Sequence, residues 1–431
     1  MPEGSIFMQS VLKRIEGKEI KIFSMVSLLL LLVASCLTGT IQEAVQGMWQ
    51  IVISRDALIT DYFELVGYGP ALFNGVLVLG TTIVLVLVQK IPFTGLTVAA
   101  LSINAGYALW GKNPVNILPI FLGTALYAHV HKARLGRYLY TALFGTCLAP
   151  ILTELVYLLP FGRPWNQVIA IAAGLFMGFV LPPLSVHAAS MHMGYSLFNV
   201  GFSGGILAFV VVSILRSFGM ESHAVLIWKE GTNSTMAVVL YSYFVVTILY
   251  GWLISKGDLK GLIGLMQRPG RAVTDFVMMD GAGPALMNMG LVGITTTTYI
   301  LLVGGDFSGP IVGAIWTAFG FAAFGVHIKN YLPVLAGVYL STLVSVYTPT
   351  TPGIQLAAVF AAGLAPIAGQ FGPLAGIAAG FLHAGIVMCT AQMYGGLNLY
   401  NNGFSAGWVA IFMVPVIESG MKRFKIKKGK K

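Results

Sequence analysis

The feature that most restricts the fold of this chain is a block that occurs twice. The fifteen residues from Thr60 to Asn74 return as Thr274 to Asn288, eight of them identical, at a constant offset of 214. The shared positions are Thr-Asp followed by Gly-x-Gly-Pro-Ala-Leu-x-Asn. The same offset aligns Phe93-Thr94-Gly95 with Phe307-Ser308-Gly309, and Leu118-Pro119 with Leu332-Pro333. Farther on the offset becomes 202, where Phe198–Gly205 matches Tyr400–Gly407. The first half therefore holds twelve extra residues between these blocks. A repeat on this scale means that one large structural unit is built twice.

The unit must live in lipid. Of the 431 residues 57% are apolar and only 9% charged, with a mean hydropathy of +0.83. A soluble domain carries roughly 25% charged residues, and no soluble core could hide this much apolar surface. Runs of about 17 to 24 apolar residues, enough to cross a hydrocarbon core about 30 Å thick, fall near 22–41, 70–89, 92–110, 114–131, 138–160, 166–186 and 202–219. Seven more fall near 235–255, 284–304, 308–326, 331–348, 353–369, 372–391 and 404–420. The expected fold is an all-α integral membrane protein of about fourteen transmembrane helices. It divides into a basic N-terminus (1–21), a first seven-helix repeat (22–225), a second repeat (226–420) and a basic tail (421–431). An odd number of spans per half makes the second copy enter from the opposite side, so the repeats are expected to be inverted. Many secondary transporters are built this way, with their site near the midplane between repeats.

The net charge of +10 is placed for a membrane and not for nucleic acid. Lys13, Arg14, Lys18 and Lys21 precede the first apolar run, and seven of the 25 Lys and Arg lie between Lys422 and Lys431. With the N-terminus inside, cytoplasmic segments hold twenty of these cations; the outer ones hold Arg55, Lys112, Arg163, Arg216 and Lys229. The positive-inside rule then places both termini in the cytoplasm. Cys36, Cys147 and Cys389 all sit in apolar runs, which argues against a disulfide framework.

Candidate site residues follow from polar groups at membrane depth. Gly69-Pro70 and Gly283-Pro284 open the second long helix of each half, and Asp61 and Asp275 are placed to cap short helices before it. Asn74 and Asn288 lie one turn inside, where an amide must find a partner in another helix or in a solute. The stretches Gly194–Asn199 and Gly396–Asn401 mix glycine, amide, hydroxyl and aromatic groups between apolar spans. Broken backbone at that depth is tolerated only where it lines a cavity or is buried in protein. Tyr195, Asn199, Ser203, Asn398, Asn401 and Ser405 are therefore expected to bind substrate, with Asn74 and Asn288. Glu154, deep in the fifth span, and His187 are the expected coupling groups, since intramembrane ionisable residues often carry protons or cations. No nucleotide loop or nucleophile elbow occurs, and the histidine spacing fits no zinc signature. An enzyme, a metal and a cofactor are not expected; the expected partners are a small solute and the bilayer, with homo-oligomerisation left open.

The Gly-Pro-Ala-Leu-x-Asn blocks, the stretch Lys112–Pro119 and the segment Asn398–Gly407 resemble the family of bacterial membrane proteins catalogued as domain of unknown function 1576. That resemblance covers nearly the whole chain and implies a bacterial inner-membrane setting without an activity. Phe93-Thr94-Gly95, Phe307-Ser308-Gly309, Gly194-Tyr195 and Gly396-Leu397-Asn398 also resemble features of urea transporters, which implies a passive channel for a small neutral solute. The residues themselves favour a secondary transporter of a small polar solute, with that channel as the alternative and a membrane-embedded enzyme behind both.

Overall fold

In the computed structural model the described residues are 17–56, 59–222 and 225–428, and they are all-helical apart from an isolated bridge between Thr60 and Ile227. Lys13, Arg14 and the basic residues beyond 428 lie outside them. The first half runs α1 Lys18–Thr38, α2 Ile41–Ile53, α3 Tyr62–Val66, α4 Tyr68–Val88, α5 Gly95–Tyr107, α6 Pro114–Val130, α7 Leu139–Gly145, α8 Ala149–Leu158, α9 Trp165–His192 and α10 Asn199–Ser217. The second runs α11 Ser234–Ile254, α12 Lys260–Leu265, α13 Phe276–Asp280, α14 Ala282–Leu302, α15 Gly309–Phe321, α16 Ile328–Thr342, α17 Pro352–Phe360, α18 Ala365–Phe371, α19 Pro373–Met393 and α20 Asn401–Lys428. Both α4 and α14 have 21 residues and both α5 and α15 have 13, each pair starting 214 positions apart.

Local chemistry explains why the repeated block makes these elements. Asp61 starts α3 by accepting from Phe63 N at 2.8 Å, and Asp275 starts α13 by accepting from Met278 N at 3.0 Å. Each short helix ends on a glycine of positive φ, Gly67 at 83° and Gly281 at 95°, where a side chain would be strained. The long helix follows at once, with Pro70 and Pro284 in its first turn, where a missing N–H costs nothing. One turn in, Asn74 donates to the carbonyls of Ala108 at 2.6 Å and Lys112 at 2.7 Å. Asn288 donates to those of Ala322 and Val326, both at 2.7 Å. The two amides thus satisfy one carbonyl at the C-cap of α5 or α15 and one in the turn that follows it.

Ten helical stretches among the described residues are long and apolar enough to cross a bilayer, which makes this a multi-pass membrane protein by composition and length. The other four expected spans coincide with α5, α6, α15 and α16, of 13, 17, 13 and 15 residues. At about 1.5 Å per residue a 13-residue helix covers about 20 Å, short of the core thickness. The apolar runs there continue through turns at 108–111 and 322–325, which end the helices.

Helices α5 and α15 form the centre and are buried along almost their whole length. They run antiparallel: Gly95 meets Ala323, Gly106 meets Gly313 and Gly309 meets Leu109. At the Gly106–Gly313 crossing the two backbones touch, so a Cβ on either residue would overlap the other's carbonyl oxygen. Glycine pairs also join α6 to α9 through Gly123 and Gly178, and α16 to α19 through Gly337 and Gly380. Small residues serve this purpose where lipid supplies no hydrophobic contrast between helices. Exposed leucines and valines on α1 and α11, such as Leu29, Leu37, Val238 and Leu253, face outward on the perimeter.

Candidate functional site

Two stretches that read as single spans, 138–160 and 353–369, are broken. The first tightens into a 3-10 turn at Thr146–Leu148 between α7 and α8, the second at Ala361–Leu364 between α17 and α18. Both breaks lead into the same tetrapeptide, Leu148-Ala149-Pro150-Ile151 and Leu364-Ala365-Pro366-Ile367. Proline has no N–H to give and its ring crowds the carbonyl four residues back, so neither helix continues straight through. The tetrapeptide recurs at an offset of 216, which is neither the 214 nor the 202 of the other repeated blocks.

Each break is held by a segment from the other half. Leu197 N donates to Gly363 O at 2.9 Å, and Leu399 N to Cys147 O at 3.0 Å. Positions 197 and 399 are 202 apart, so the clasp is reciprocal. Past it, α10 and α20 begin against one another, with the backbones of Gly201 and Gly403 in contact and the rings of Phe202 and Phe404 stacked at 5.8 Å. Asn199 Nδ2 bonds Ser185 O at 3.0 Å, and Asn401 Nδ2 bonds Val387 O at 3.0 Å. Ser203 pairs with the Ser185 hydroxyl at 3.0 Å, and Ser405 with that of Thr390 at 2.8 Å. His192 meets Asn199 Oδ1 at 2.9 Å, and Tyr394 OH donates to Asn401 Oδ1 in the matching place. The expected substrate ligands Asn199, Ser203, Asn401 and Ser405 thus use their polar groups to brace this junction, and of the four Asn199 also lines the cavity beside it. Asn74 and Asn288 do the same elsewhere. Tyr195 is buried, its ring 5.2 Å from Phe371 and 4.5 Å below the Arg271 guanidinium. Asn398 accepts from Tyr400 N at 3.1 Å, which leaves its Nδ2 without a partner. The equivalent Ser196 Oγ is also buried and unpartnered.

A cavity of about 460 Å³ opens beside the junction. Phe144, Phe198, Phe321 and Phe324 give it an apolar body, and Ser196 and Tyr400 add hydroxyls. Behind Tyr400 lies a residue that loop counting assigns to an outer surface. Lys112 is fully buried; its Nζ donates to Tyr400 OH at 2.6 Å and to Asn104 Oδ1 at 3.0 Å. It lies 4.6 Å and 5.4 Å from the ring centroids of Tyr400 and Tyr107, positions that suit a cation over an aromatic face. None of the ion pairs among the described residues includes it. The matching position in the second half is Val326. Because Lys112 sits in the turn between α5 and α6, sequence reading took it for solvated; its flanking Tyr107 and Trp110 were the signal of burial.

The expected coupling groups are not brought together. Glu154 is fully buried midway along α8, where Arg55 Nε reaches it at 3.0 Å and Ser222 Oγ at 2.9 Å. His187 is exposed on α9 and lines no part of the cavity. The threonines of 295–298 mostly bond back to their own helix, Thr295 to Leu291 O at 2.8 Å and Thr297 to Gly293 O at 2.8 Å. No group of three metal-ligating side chains occurs among the described residues.

Near Glu154, in the segment after α2, Asp56 is buried and accepts from Tyr62 OH at 2.7 Å, Asn116 Nδ2 at 3.2 Å and Thr153 Oγ1 at 3.2 Å. Burial pushes its carboxyl up to about 7, against those three donors. The folded protein then holds this proton where the unfolded chain, ionising near about 4, has lost it. Stability from Asp56 is full below about pH 4 and is lost as pH rises toward about 7. Asp61, pushed up to about 6 by burial, acts in the same sense. The melting temperature in detergent is expected to fall across that window, and Asp56→Asn to leave a smaller slope ending near pH 6. A rise across the window would contradict this assignment.

The fold and junction define an all-helical, multi-pass membrane protein with two broken helices clasped at its centre. Over residues 40–217 and 254–419 the chain matches the family described as protein of unknown function (DUF1576), and it belongs to that family. No curated protein and no solved structure matches it. The comparisons show no likeness to urea transporters.

Proposed function

We propose that this protein is a secondary transporter of a small polar solute, working by alternating access between two halves that are inverted in the membrane. The observation that carries the reading is the reciprocal clasp of Leu197 on Gly363 and Leu399 on Cys147 across two broken helices. Discontinuous helices meeting at a repeat interface are where transporters of this build place their solute. The antiparallel pairing of α5 with α15 supports inversion, because equivalent helices run oppositely only about an axis in the membrane plane. Segments carrying Lys90, Arg137 and Arg271 border the cavity mouth at Leu96, Tyr140 and Ala272. The positive-inside rule puts that mouth, and both termini, in the cytoplasm. On the other face Pro310 and Ile59 are buried where their counterparts Leu96 and Val273 are half-buried and exposed, which supports a state more open inward than outward. The reading does not route coupling through Glu154, which Arg55 and Ser222 hold.

Accessibility tests it. In a background with the exposed Cys36 and Cys389 replaced by serine, Ser196→Cys is expected to react with an impermeant thiol reagent from the cytoplasmic side. Asn398→Cys is expected to react from the outside only, and only in molecules whose Ser196→Cys site is protected. Simultaneous labelling from both sides would make the protein a channel. Failure of Asn398→Cys to label under any condition would remove the transport reading.

A further inference from the structure

Resting on the transport reading, we infer that the solute is a small organic anion, a monocarboxylate with an aliphatic or aromatic body, whose head is held through Tyr400 and Lys112.

The inference starts from a buried amine that no carboxylate faces. An ammonium is costly to bury unless it is paired, and Lys112 has only two neutral acceptors. Neither Asp nor Glu lines the cavity that ends on Tyr400. The Tyr400 hydroxyl accepts from Lys112 and still carries its own O–H, made a stronger donor by the adjacent cation. A carboxylate at the cavity floor would receive that bond and supply the missing charge. Two further donors at the junction are idle: Ser196 Oγ, in the cavity wall, and Asn398 Nδ2, on the residue that caps Tyr400 N. Above this floor Phe144, Phe198, Phe321 and Phe324 surround a space suited to an apolar body. A volume of about 460 Å³ lies in the range of small-molecule sites, roughly 300–1,000 Å³. A cation or a strongly polar neutral solute would meet a like charge at the floor and rings along the walls.

The test measures binding of benzoate, phenylacetate and isovalerate to the full chain in lipid nanodiscs by calorimetry, with benzamide as the neutral isostere of benzoate. At least one carboxylate should bind saturably, and benzoate should exceed benzamide by about tenfold or more. Lys112→Gln should weaken carboxylate binding on the order of 10- to 100-fold and bring benzoate and benzamide to parity. Ser196→Ala, which leaves the cation in place, should cost roughly 3- to 10-fold and serves if Lys112→Gln does not fold. No binding by any of the three acids, benzamide equal to benzoate in the native protein, or affinity unchanged in Lys112→Gln overturns the inference. Carboxylate binding without uptake into proteoliposomes keeps the anion site and removes the transport reading. Uptake of neutral solutes without carboxylate binding does the reverse.

Discussion

Gly106→Leu is expected to leave almost no folded protein. Gly106 lies where α5 and α15 cross, and a Cβ there would overlap the carbonyl oxygen of Gly313. The obstacle is backbone, and it belongs to a helix buried on every side, so it cannot rotate away. Overpacking of a tight core typically costs 1–3 kcal/mol when side chains can shift; with backbone against backbone the loss is expected at about 3 kcal/mol or more. A thermal melt in detergent should show little cooperative transition, and Gly313→Leu should behave alike. Gly80→Leu, on α4 with open space around it, should melt near the native temperature. Native-like melting of Gly106→Leu would mean that the two central helices do not touch as described.

Asp61→Ala should produce the next largest loss. The Asp61 carboxylate accepts from Phe63 N at 2.8 Å within its own short helix, from Lys229 N at 3.0 Å, and from Gly309 N at 3.0 Å at the start of α15. Asp275 repeats the arrangement, accepting from Met278 N at 3.0 Å, Gly95 N at 2.9 Å and Leu96 N at 3.0 Å. Each aspartate therefore caps one helix of its own half and one central helix of the other. Alanine would leave three backbone N–H groups with no acceptor, and leaving buried donors unmade costs about 1–3 kcal/mol each. Partial hydration moderates the sum, so a loss of about 2–4 kcal/mol is expected. Asp61→Asn keeps the Oδ1 acceptor and should lose about half as much. Equal melting of Asp61→Ala and the native chain would show that the cap at Gly309 carries no stability.

Much of this frame was legible in the sequence. The Gly-x-Gly-Pro-Ala-Leu-x-Asn block announces a positive-φ turn, a helix start and a buried amide, and each is a local event dictated by a few neighbouring residues. What each polar group finally touches was not legible. Asp61 looks like an ordinary cap, since its contact with Gly309 lies 248 residues away. Asn199 and Asn401 look like solute ligands, since an amide beside a helix start has the same composition whether it holds a solute or the neighbouring helix. Lys112 was misread for a different reason. Counting cations by loop assumes that a turn between apolar runs is wet, and here two short helices draw that turn into the interior. The breaks at Pro150 and Pro366 were visible as a repeated tetrapeptide, but long apolar runs hide an interruption that only a proline and a tight turn mark.

The valine that stands in the second half where the first has Lys112 has a consequence for how such a protein can arise. Two identical single-copy chains assembled in the same way would bury two such lysines, one toward each end of the central helix pair, each at the cost of desolvating an amine that no carboxylate pairs. Joining the copies in one polypeptide lets one keep the amine while the other loses it. Gene fusion thus allows a symmetric scaffold to carry a chemically one-sided centre, and splitting the chain back into two separately evolving copies would forfeit that freedom.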